Sequence, residues 1–277
     1  MLVQEIKNRI SSVQSIRKIT RAMELVATSK LQKVKRNFEG SKEYYNLVVD
    51  TYQKVLAAIP NFNLLLPNND DKPNLFLVIT SDYGLCGAYN SNVLRLVTKS
   101  IKKTDQLIVI GTKALNYFNA LNYPIIHSVS DIGDTINYRQ LHDLISLISS
   151  KFLTNEVKNI IVASTEYINS ISFIASLTPV IDFKNTSLNK KTTTVFEFEP
   201  SAKTVLLKTL PLYIGAVVYG KVVEAKVAET AMRRISMESA TDNADDLISN
   251  LSIKYNQARQ AIITEEIAEI VSGSTSG

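Results

Sequence analysis

The sequence predicts a mixed α/β fold with a long helix at each end and a mostly parallel sheet between them. Glycine and proline are scarce, at 9 and 7 of 277 residues, and the two end segments, 1–59 and 209–272, contain one proline between them. Apolar residues recur every three or four positions in the end segments, whereas the middle contains short apolar runs rich in β-branched residues. The first pattern of apolar residues is typical of helices, and the second is typical of buried strands.

The first predicted helix covers residues 1–59. It contains one glycine, Gly40, and no proline before Pro60. A helix of this length would span roughly 80 Å at about 1.5 Å per residue, which exceeds the diameter of a small domain. Part of it therefore needs a partner that covers its apolar stripe. That stripe is formed by Leu2, Ile6, Ile10, Val13, Ile16, Ile19, Met23 and Val26.

Residues 209–272 form the second predicted helix. They contain no proline after Pro211, which can occupy the first helical turn, where its missing N–H costs nothing. The two apolar stripes can pair as an antiparallel, left-handed coiled coil. The alternative is that each helix packs separately on a globular core. The second stripe is rich in small residues and runs through Ile214, Val218, Val222, Ala225, Ala228, Met232, Ile235, Ala240, Ala244, Leu247, Leu251, Ala258 and Ile262.

The middle segment, 74–199, alternates predicted strands with predicted helices, which favours a parallel sheet with helices on its faces. The strands are expected at 75–80, 106–111, 124–129 and 159–164, and the helices at 90–102, 112–121 and 138–152. The runs 170–180 and 193–200 alternate like edge strands or a hairpin. The polar stretches 60–73 and 182–191 are expected to be a linker and a loop.

Charge and cysteine content exclude several classes of protein. One cysteine, Cys86, excludes an intrachain disulfide. No uncharged apolar run reaches the length of a membrane span, and the N-terminus lacks the pattern of a signal peptide. The net charge is +5, and residues 1–60 hold eleven Lys or Arg against five Asp or Glu. The basic stretch 17–36 could bind nucleic acid or an acidic protein surface, and the alternative is a solvated helix face.

The strongest candidate for a ligand site is the turn at residues 80–90, which follows a predicted strand and precedes a predicted helix. Gly84 and Gly87 form only G-x-x-G, without the spacing of a dinucleotide fingerprint or the lysine of a P-loop. We expect Gly84 to allow a tight turn and Gly87 to allow close helix packing. Cys86 has only His127 and His142 as potential bases, and these three residues cannot form a typical zinc site. The residues therefore predict no active site.

Three motifs closely resemble the gamma subunit of F-type ATP synthases. They are KITRAMELVATSKLQK at 18–33, ITSDYGLCGAYN at 79–90, and ATDNADDLISNLSIKYNQ followed by ARQAIITEEIAEIVSG at 240–273. The matches occur in the family's order and reach nearly from end to end. The resemblance implies a long antiparallel coiled coil of the terminal helices and a central Rossmann-like α/β domain.

The resemblance also implies a rotor shaft that turns inside an alpha3-beta3 ring, as one copy per complex, and couples ATP synthesis or hydrolysis to ion transport. It implies contacts with the epsilon subunit and the c-ring, no cofactor on this chain, ATP or ADP with Mg on partner subunits, and a peripheral position at the cytoplasmic face of the membrane. No nucleic acid is expected. The implied partner-binding residues are Arg259, Gln260, Thr264 and Glu266 for a beta-subunit loop, Arg233 and Glu224 for the lower bearing, and Arg21 and Met23 for the acidic lever of beta.

Several positions depart from the family's pattern. Tyr83 stands where arginine is more common, and Val217, Gly220 and Lys221 replace a usual Gln-x-Tyr-Arg-Ala pattern around Tyr219. An F-type-like ATPase that drives a load other than ion transport therefore stays open. So do a nucleotide-binding α/β enzyme that uses the glycine turn and a nucleic-acid tether that uses the basic helix. Gly215 and Gly220 are expected to weaken the second helix by roughly 1 kcal/mol each relative to alanine.

Overall fold

The computed structural model describes residues 3–59, 71–181 and 198–275. It confirms the mixed α/β class with a long helix at each end. In chain order the elements are α1 (Val3–Ala58), β1 (Leu75–Ile79), α2 (Tyr89–Ser100), β2 (Gln106–Ile110), α3 (Thr112–Ala120), β3 (Ile125–Val129), a 3-10 turn (Tyr138–Leu141), α4 (His142–Leu153), β4 (Ile160–Tyr167), β5 (Phe173–Pro179) and α5 (Ala202–Thr275).

The central sheet has the strand order β3-β2-β1-β4-β5. β1 pairs in parallel with β2 and β4, and β2 pairs in parallel with β3. All four predicted parallel strands are confirmed, because each apolar run forms one. β5 pairs antiparallel with β4 at the sheet edge, as expected for 170–180. The predictions for 182–191, most of 60–73 and most of 193–200 lie outside the described residues.

Both faces of the sheet are covered, which explains why its strands are apolar at consecutive positions. Leu75 and Leu77 face a core that includes α4 and buried residues of α5. Phe76 and Val78 face the opposite core, which α2 and α3 cover. The carboxyl end of β1 lies at the point where the chain switches from one side of the sheet to the other, which is where open α/β sheets bind ligands.

The chain folds as two compact units, residues 1–28 with 233–277 and residues 29–232. We call them the terminal unit and the central unit. The boundaries between the two units fall within α1 and α5. The predicted segments 1–59, 74–199 and 209–272 divide the chain at other positions and stay a prediction.

α5 begins at Ala202, seven residues before the predicted start at 209. Pro211 therefore lies inside the helix and not in its first turn, so that expectation was wrong. The side-chain oxygen of Ser201 accepts a hydrogen bond from the backbone N–H of Thr204 at 3.2 Å, which satisfies one donor of the first turn. Burial of Leu206 and Leu210 holds the added turns against the core.

In the terminal unit α1 and α5 pair antiparallel. Thr241 donates a side-chain hydrogen bond to Thr20 at 2.9 Å, and Arg17 forms an ion pair with Asp245. The buried residues that line this pairing are Ile6, Glu24, Ala27, Met237, Thr241, Ala244 and Leu251.

The predicted stripe of α1 is therefore only partly right. Ile6 is buried, but Ile16, Ile19 and Val26 are 55%, 60% and 55% exposed. Small and medium residues such as Thr20 and Ala27 face α5 in their place, because a seam that contains Ala240 and Ala244 brings the two backbones close. Leu247 and Ile262 of the second stripe are likewise about half exposed.

In the central unit α5 is a core helix, and Ile214, Val218 and Val222 are buried. By length and composition, α5 also contains a window that is apolar enough to cross a membrane, which the sequence analysis did not predict. Of that window, 44% is buried. Gly215 and Gly220 are close-approach positions. A Cβ at Gly220 would lie 2.8 Å from the Tyr45 ring, so alanine would not be the better residue expected from helix propensity.

Candidate partner-binding site

The last turns of α5 form the most exposed helical surface of the terminal unit, because every described residue from 259 to 271 is exposed. The contacts of Thr241 with Thr20 and of Asp245 with Arg17 set the register of the two helices. In this register the beginning of α1 at Val3 falls opposite about residue 258. Within the described ranges, α5 beyond that point has no facing helix from this chain.

Four predicted partner-binding residues lie on these turns. Arg259, Gln260, Thr264 and Glu266 are all exposed, and Thr264 donates a side-chain hydrogen bond to the carbonyl of Gln260 at 2.9 Å. The surface is mixed in character, because large apolar side chains are exposed between the polar ones. These are Ile262, Ile263, Ile267, Ile270 and Val271, which are 41–71% exposed.

Arg21 and Met23 lie on α1 in the same unit. The guanidinium of Arg21 donates to both carboxylate oxygens of Glu24 at 3.0 and 2.9 Å, while the Arg21 side chain stays 60% exposed. Met23 is half-buried. Ile19 and Val26 are exposed within one turn of these residues, so α1 also presents apolar and basic side chains together.

Arg233 is half-buried in the terminal unit, whereas Glu224 belongs to the central unit. Glu224 lies in an ion cluster with Lys221 and Glu166. The Lys221 ammonium is 2.9 Å from Glu166 and 3.2 Å from Glu224. The second carboxylate oxygen of Glu224 accepts the backbone N–H of Tyr167 at 3.3 Å. Glu224 is therefore held by its own chain.

Electrostatics make this cluster a strong internal link between α5 and β4. Burial lowers the pKa of Lys221, but Glu224 and Glu166 outweigh it and raise that pKa above its ordinary value. Burial raises the pKa of Glu166, but hydrogen bonds from Lys221 and Ser176 outweigh it and lower that pKa. In the sequence, Lys221 stands out only as a departure from the family pattern. The spacing of Lys221 and Glu224 on one helix face was a usable signal, but Glu166 is distant in sequence.

The glycine turn at 80–90 is closed by its own side chains. The carboxamide of Asn90 accepts the backbone N–H of Ser81 at 2.9 Å and donates to the Ser81 hydroxyl at 2.8 Å. Gly87 has φ 58° and Leu85 has φ 62°, whereas a Cβ at Gly84 would meet open space. The expected role of Gly84 was therefore wrong, because Leu85 and Gly87 take the left-handed conformation.

The nearby beginning of α3 is capped by Asp82. One carboxylate oxygen accepts the backbone N–H and the hydroxyl of Thr112, both at 3.0 Å, and the other accepts the backbone N–H of Asp131 at 3.0 Å. Helix N-termini at this edge of a sheet are where phosphates bind in nucleotide-binding α/β proteins. Here Asp82 accepts the N–H of Thr112, the Ser81 carbonyl accepts that of Lys113, and the Thr80 hydroxyl accepts that of Ala114, so the chain itself uses those donors.

The three residues weighed for catalysis lie in different surroundings. The Cys86 thiol is buried and receives a hydrogen bond from the Asn90 amide at 3.3 Å. His142 is exposed beside Asp143, and His127 lies on β3 at the opposite edge of the sheet from β5. Across residues 3–59, 71–181 and 198–275, no group of three or more His, Cys, Asp or Glu could hold a metal ion.

Comparison with known proteins gives consistent results. A family model described as ATP synthase matches residues 2–276. The chain is 40% identical over 274 residues to the ATP synthase gamma chain of Mycoplasmopsis pulmonis, with 98% of each chain covered. It is 34% identical over 272 residues to that of Clostridium acetobutylicum, covering 97% of this chain and 96% of the relative.

Solved structures agree with the fold. A chain of the Euglena gracilis mitochondrial ATP synthase matches with a TM-score of 0.70 at 16% identity, covering 99% of this chain and 94% of that one. A chain of the Tetrahymena thermophila mitochondrial ATP synthase central stalk and c-ring matches with a TM-score of 0.64 at 24% identity, covering 80% of this chain and 99% of that one.

The fold and the exposed helix surfaces define a class of subunit in which paired terminal helices are joined through an inserted parallel-sheet domain. Within that class, the full-length matches decide the identity. The chain belongs to the ATP synthase gamma chain family, and its function is that of the gamma chain of an ATP synthase.

Proposed function

We propose that this chain is the rotor shaft of an F-type ATP synthase, which turns inside an alpha3-beta3 ring and couples ATP synthesis or hydrolysis to ion transport. The observation that carries the proposal is the surface from 259 to 271 of α5, where every residue is exposed and isoleucines alternate with charged side chains. Exposed apolar area of this kind is typical of a protein-binding surface.

The proposed mechanism uses the asymmetry of the helix pair. Arg259, Gln260, Thr264 and Glu266 contact a loop of the beta subunit, and Arg21 with Met23 contact its acidic lever. Because the face of α1 with Arg21 differs in charge and shape from the face of α5, rotation presents a different surface to each catalytic subunit in turn. Each subunit is then driven to a different state, since a contact shifts a conformational equilibrium only through its differential affinity for the states.

We also propose that the chain itself is not a catalyst and holds no cofactor, so that ATP, ADP and Mg bind to partner subunits. Two features of the central unit support this. Asp82, the Ser81 carbonyl and the Thr80 hydroxyl accept the first three N–H groups of α3, and Asn90 with Ser81 closes the glycine turn. The enzyme alternative requires one of these places to accept a phosphate. Calorimetry of the purified chain with ATP and dinucleotides at millimolar concentration tests it, and binding heat would support the enzyme.

The remaining partners follow from the same proposal. The chain contacts the epsilon subunit and the c-ring, with Glu224 and Arg233 near the lower bearing, and reaches the cytoplasmic face of the membrane only through these partners. An F-type-like ATPase with another load would share the beta contacts but not the c-ring. Purification of the native complex with identification of its subunits separates the two, because only the first contains a c-ring.

The central test is rotation of a reconstituted complex. A chain that lacks residues 264–277 should still bind alpha and beta subunits but should transmit less torque in single-molecule rotation, because it loses Thr264, Glu266 and the exposed isoleucines after them. A chain that lacks only residues 276–277 is the matched control and should behave like the full chain. The proposal fails if the purified full chain does not bind the catalytic beta subunit in a pull-down.

A further inference from the structure

The outer layer of α2 and α3 in the central unit carries mostly positive charge, although the Asp82 carboxylate caps the beginning of α3 next to Lys113. Between residues 83 and 126 the sequence holds five basic residues and one acidic residue. The acidic one, Asp105, is 2% exposed, and its carboxylate accepts the backbone N–H groups of Asn74 and Lys102 at 2.9 and 2.8 Å. The whole central segment is nearly neutral, so this layer is a basic face. Its cations are Arg95, Lys99, Lys102, Lys103 and Lys113.

None of these five cations has an ion-pair partner within the described residues, and all five are exposed. The Lys103 ammonium lies over the Tyr123 ring, at 5.4 Å from the ring centroid. Like charges on one face repel one another, so an anionic partner that bound there would relieve the repulsion.

Three of the cations line one groove between α2 and α3, which has a volume of about 560 Å³. Arg95 and Lys99 are one turn apart on α2, and Lys113 lies across the groove on α3. Its floor includes Leu94 and the Tyr117 ring, and the hydroxyls of Thr98 and Tyr117 meet at 3.3 Å between the two helices. The groove therefore combines an apolar floor with basic sides.

We propose that this groove binds an acidic amphipathic helix of a partner protein. Apolar side chains of such a helix would cover Leu94 and Tyr117, while its carboxylates would pair with Arg95, Lys99 and Lys113. This is the helix-in-groove mode of recognition with charge complementarity at the rim. The inference concerns a surface of the central unit and does not rest on the proposed rotor function.

Two other classes of anionic partner fit the groove less well. Single-stranded nucleic acid binds through several aromatic rings on which bases stack, and Tyr117 is the one aromatic ring among the described residues that line this groove. A membrane surface is flat and attracts cations that project in one plane, whereas Lys113 and Arg95 stand on opposite sides of a groove. Both classes become outcomes of the test.

The test measures binding of the full chain to a labelled, designed helical peptide by fluorescence anisotropy. The peptide has about the length of α2, with leucines on one face and glutamates flanking them. We expect R95Q/K99Q/K113Q to weaken binding about tenfold, since three exposed ion pairs are lost. The matched control K54Q/K203Q/K208Q removes the same charge from exposed positions elsewhere and should change affinity less than about twofold.

A charge-reversal variant keeps the test decisive if neutralisation perturbs folding. R95E/K99E/K113E should lose the glutamate peptide and gain binding of the same peptide with lysines in place of glutamates. Equal affinity of the first variant and its control for the glutamate peptide would overturn the proposal. Failure of the glutamate peptide to bind the unmodified chain would also overturn the proposal, whether or not phosphatidylserine vesicles or an oligothymidine strand bind in its place.

Discussion

Lys221 provides the sharpest prediction about the central unit. Its side chain is only 13% exposed and bridges the carboxylates of Glu166 on β4 and Glu224 on α5. K221M keeps most of the aliphatic stem and removes the charge. The two carboxylates then remain in a partly buried place without their cation, which is the costly way to break such a cluster.

The expected loss follows from the burial of the three groups. Removing one partner of a fully buried ion pair costs about 3–5 kcal/mol. Glu166 is 36% exposed and keeps a 2.8 Å hydrogen bond from Ser176, so water and that hydroxyl relieve part of the cost. We therefore expect K221M to lower the free energy of unfolding by about 2–3 kcal/mol. K208M, an exposed lysine on the same helix, is the matched control and should change it by less than about 0.5 kcal/mol.

The pH dependence of this loss identifies its cause. The lowered pKa of Glu166 gives stability that is present above its unfolded pKa and lost as the pH falls through its folded pKa. The raised pKa of Lys221 gives stability that is present below its unfolded pKa and lost as the pH rises through its folded pKa. In K221M, burial without the cation favours the protonated form of Glu166, so acid should narrow the difference in the free energy of unfolding between K221M and the unmodified protein.

Urea unfolding followed by circular dichroism at pH 7 and near pH 4 measures this difference, and amide hydrogen exchange of β4 locates it. We expect a larger loss at pH 7 than near pH 4, with faster exchange in β4. A loss of the same size at both pH values would refute the electrostatic reasoning and leave a packing defect as the cause. K221R, which keeps the charge, should recover much of the stability.

Three further substitutions test the central unit and α1. D82A should lower the free energy of unfolding in urea by about 1–2 kcal/mol, because the backbone N–H of Thr112 at the beginning of α3 loses its capping carboxylate. An unchanged unfolding midpoint would contradict that role. G220A should cost about 1–3 kcal/mol, because its Cβ would lie 2.8 Å from the Tyr45 ring. G40A, in a helical position with open space around it, should stabilise the protein by about 0.5–1 kcal/mol. If G220A proved more stable than G40A in thermal unfolding, this interpretation of the two glycines would be refuted.

The sheet could be predicted from the sequence because each parallel strand is a short apolar run buried on both faces. β1 and β2 coincide with the predicted runs to within one residue at the carboxyl end. The side of α1 that faces α5 could not be predicted in the same way. Spacing identifies an apolar stripe on α1, but the alanines of α5 decide which α1 side chains fit against it. Ala27 is therefore buried, whereas Ile19 is exposed.

The candidate site could likewise be predicted from the sequence only in part. The resemblance supplied Arg259 and Glu266, and the structure shows that both side chains are exposed. Contacts between distant segments were beyond sequence reasoning. Glu166 and Lys221 are 55 residues apart, and no periodicity relates a strand residue to a helix residue at that separation.

The exposed isoleucines of both helices in the terminal unit point to one physical requirement. Ile16 and Ile19 on α1, like Ile267 and Ile270 on α5, leave apolar area in water that the helix pairing itself does not need. Polar side chains at these positions would fit the isolated pair better, since exposed apolar residues in a row favour aggregation. Their presence is explained when other subunits cover them. Replacing Ile16 and Ile19 by glutamine should therefore leave the thermal stability of the free chain nearly unchanged while weakening its proposed assembly with alpha and beta subunits.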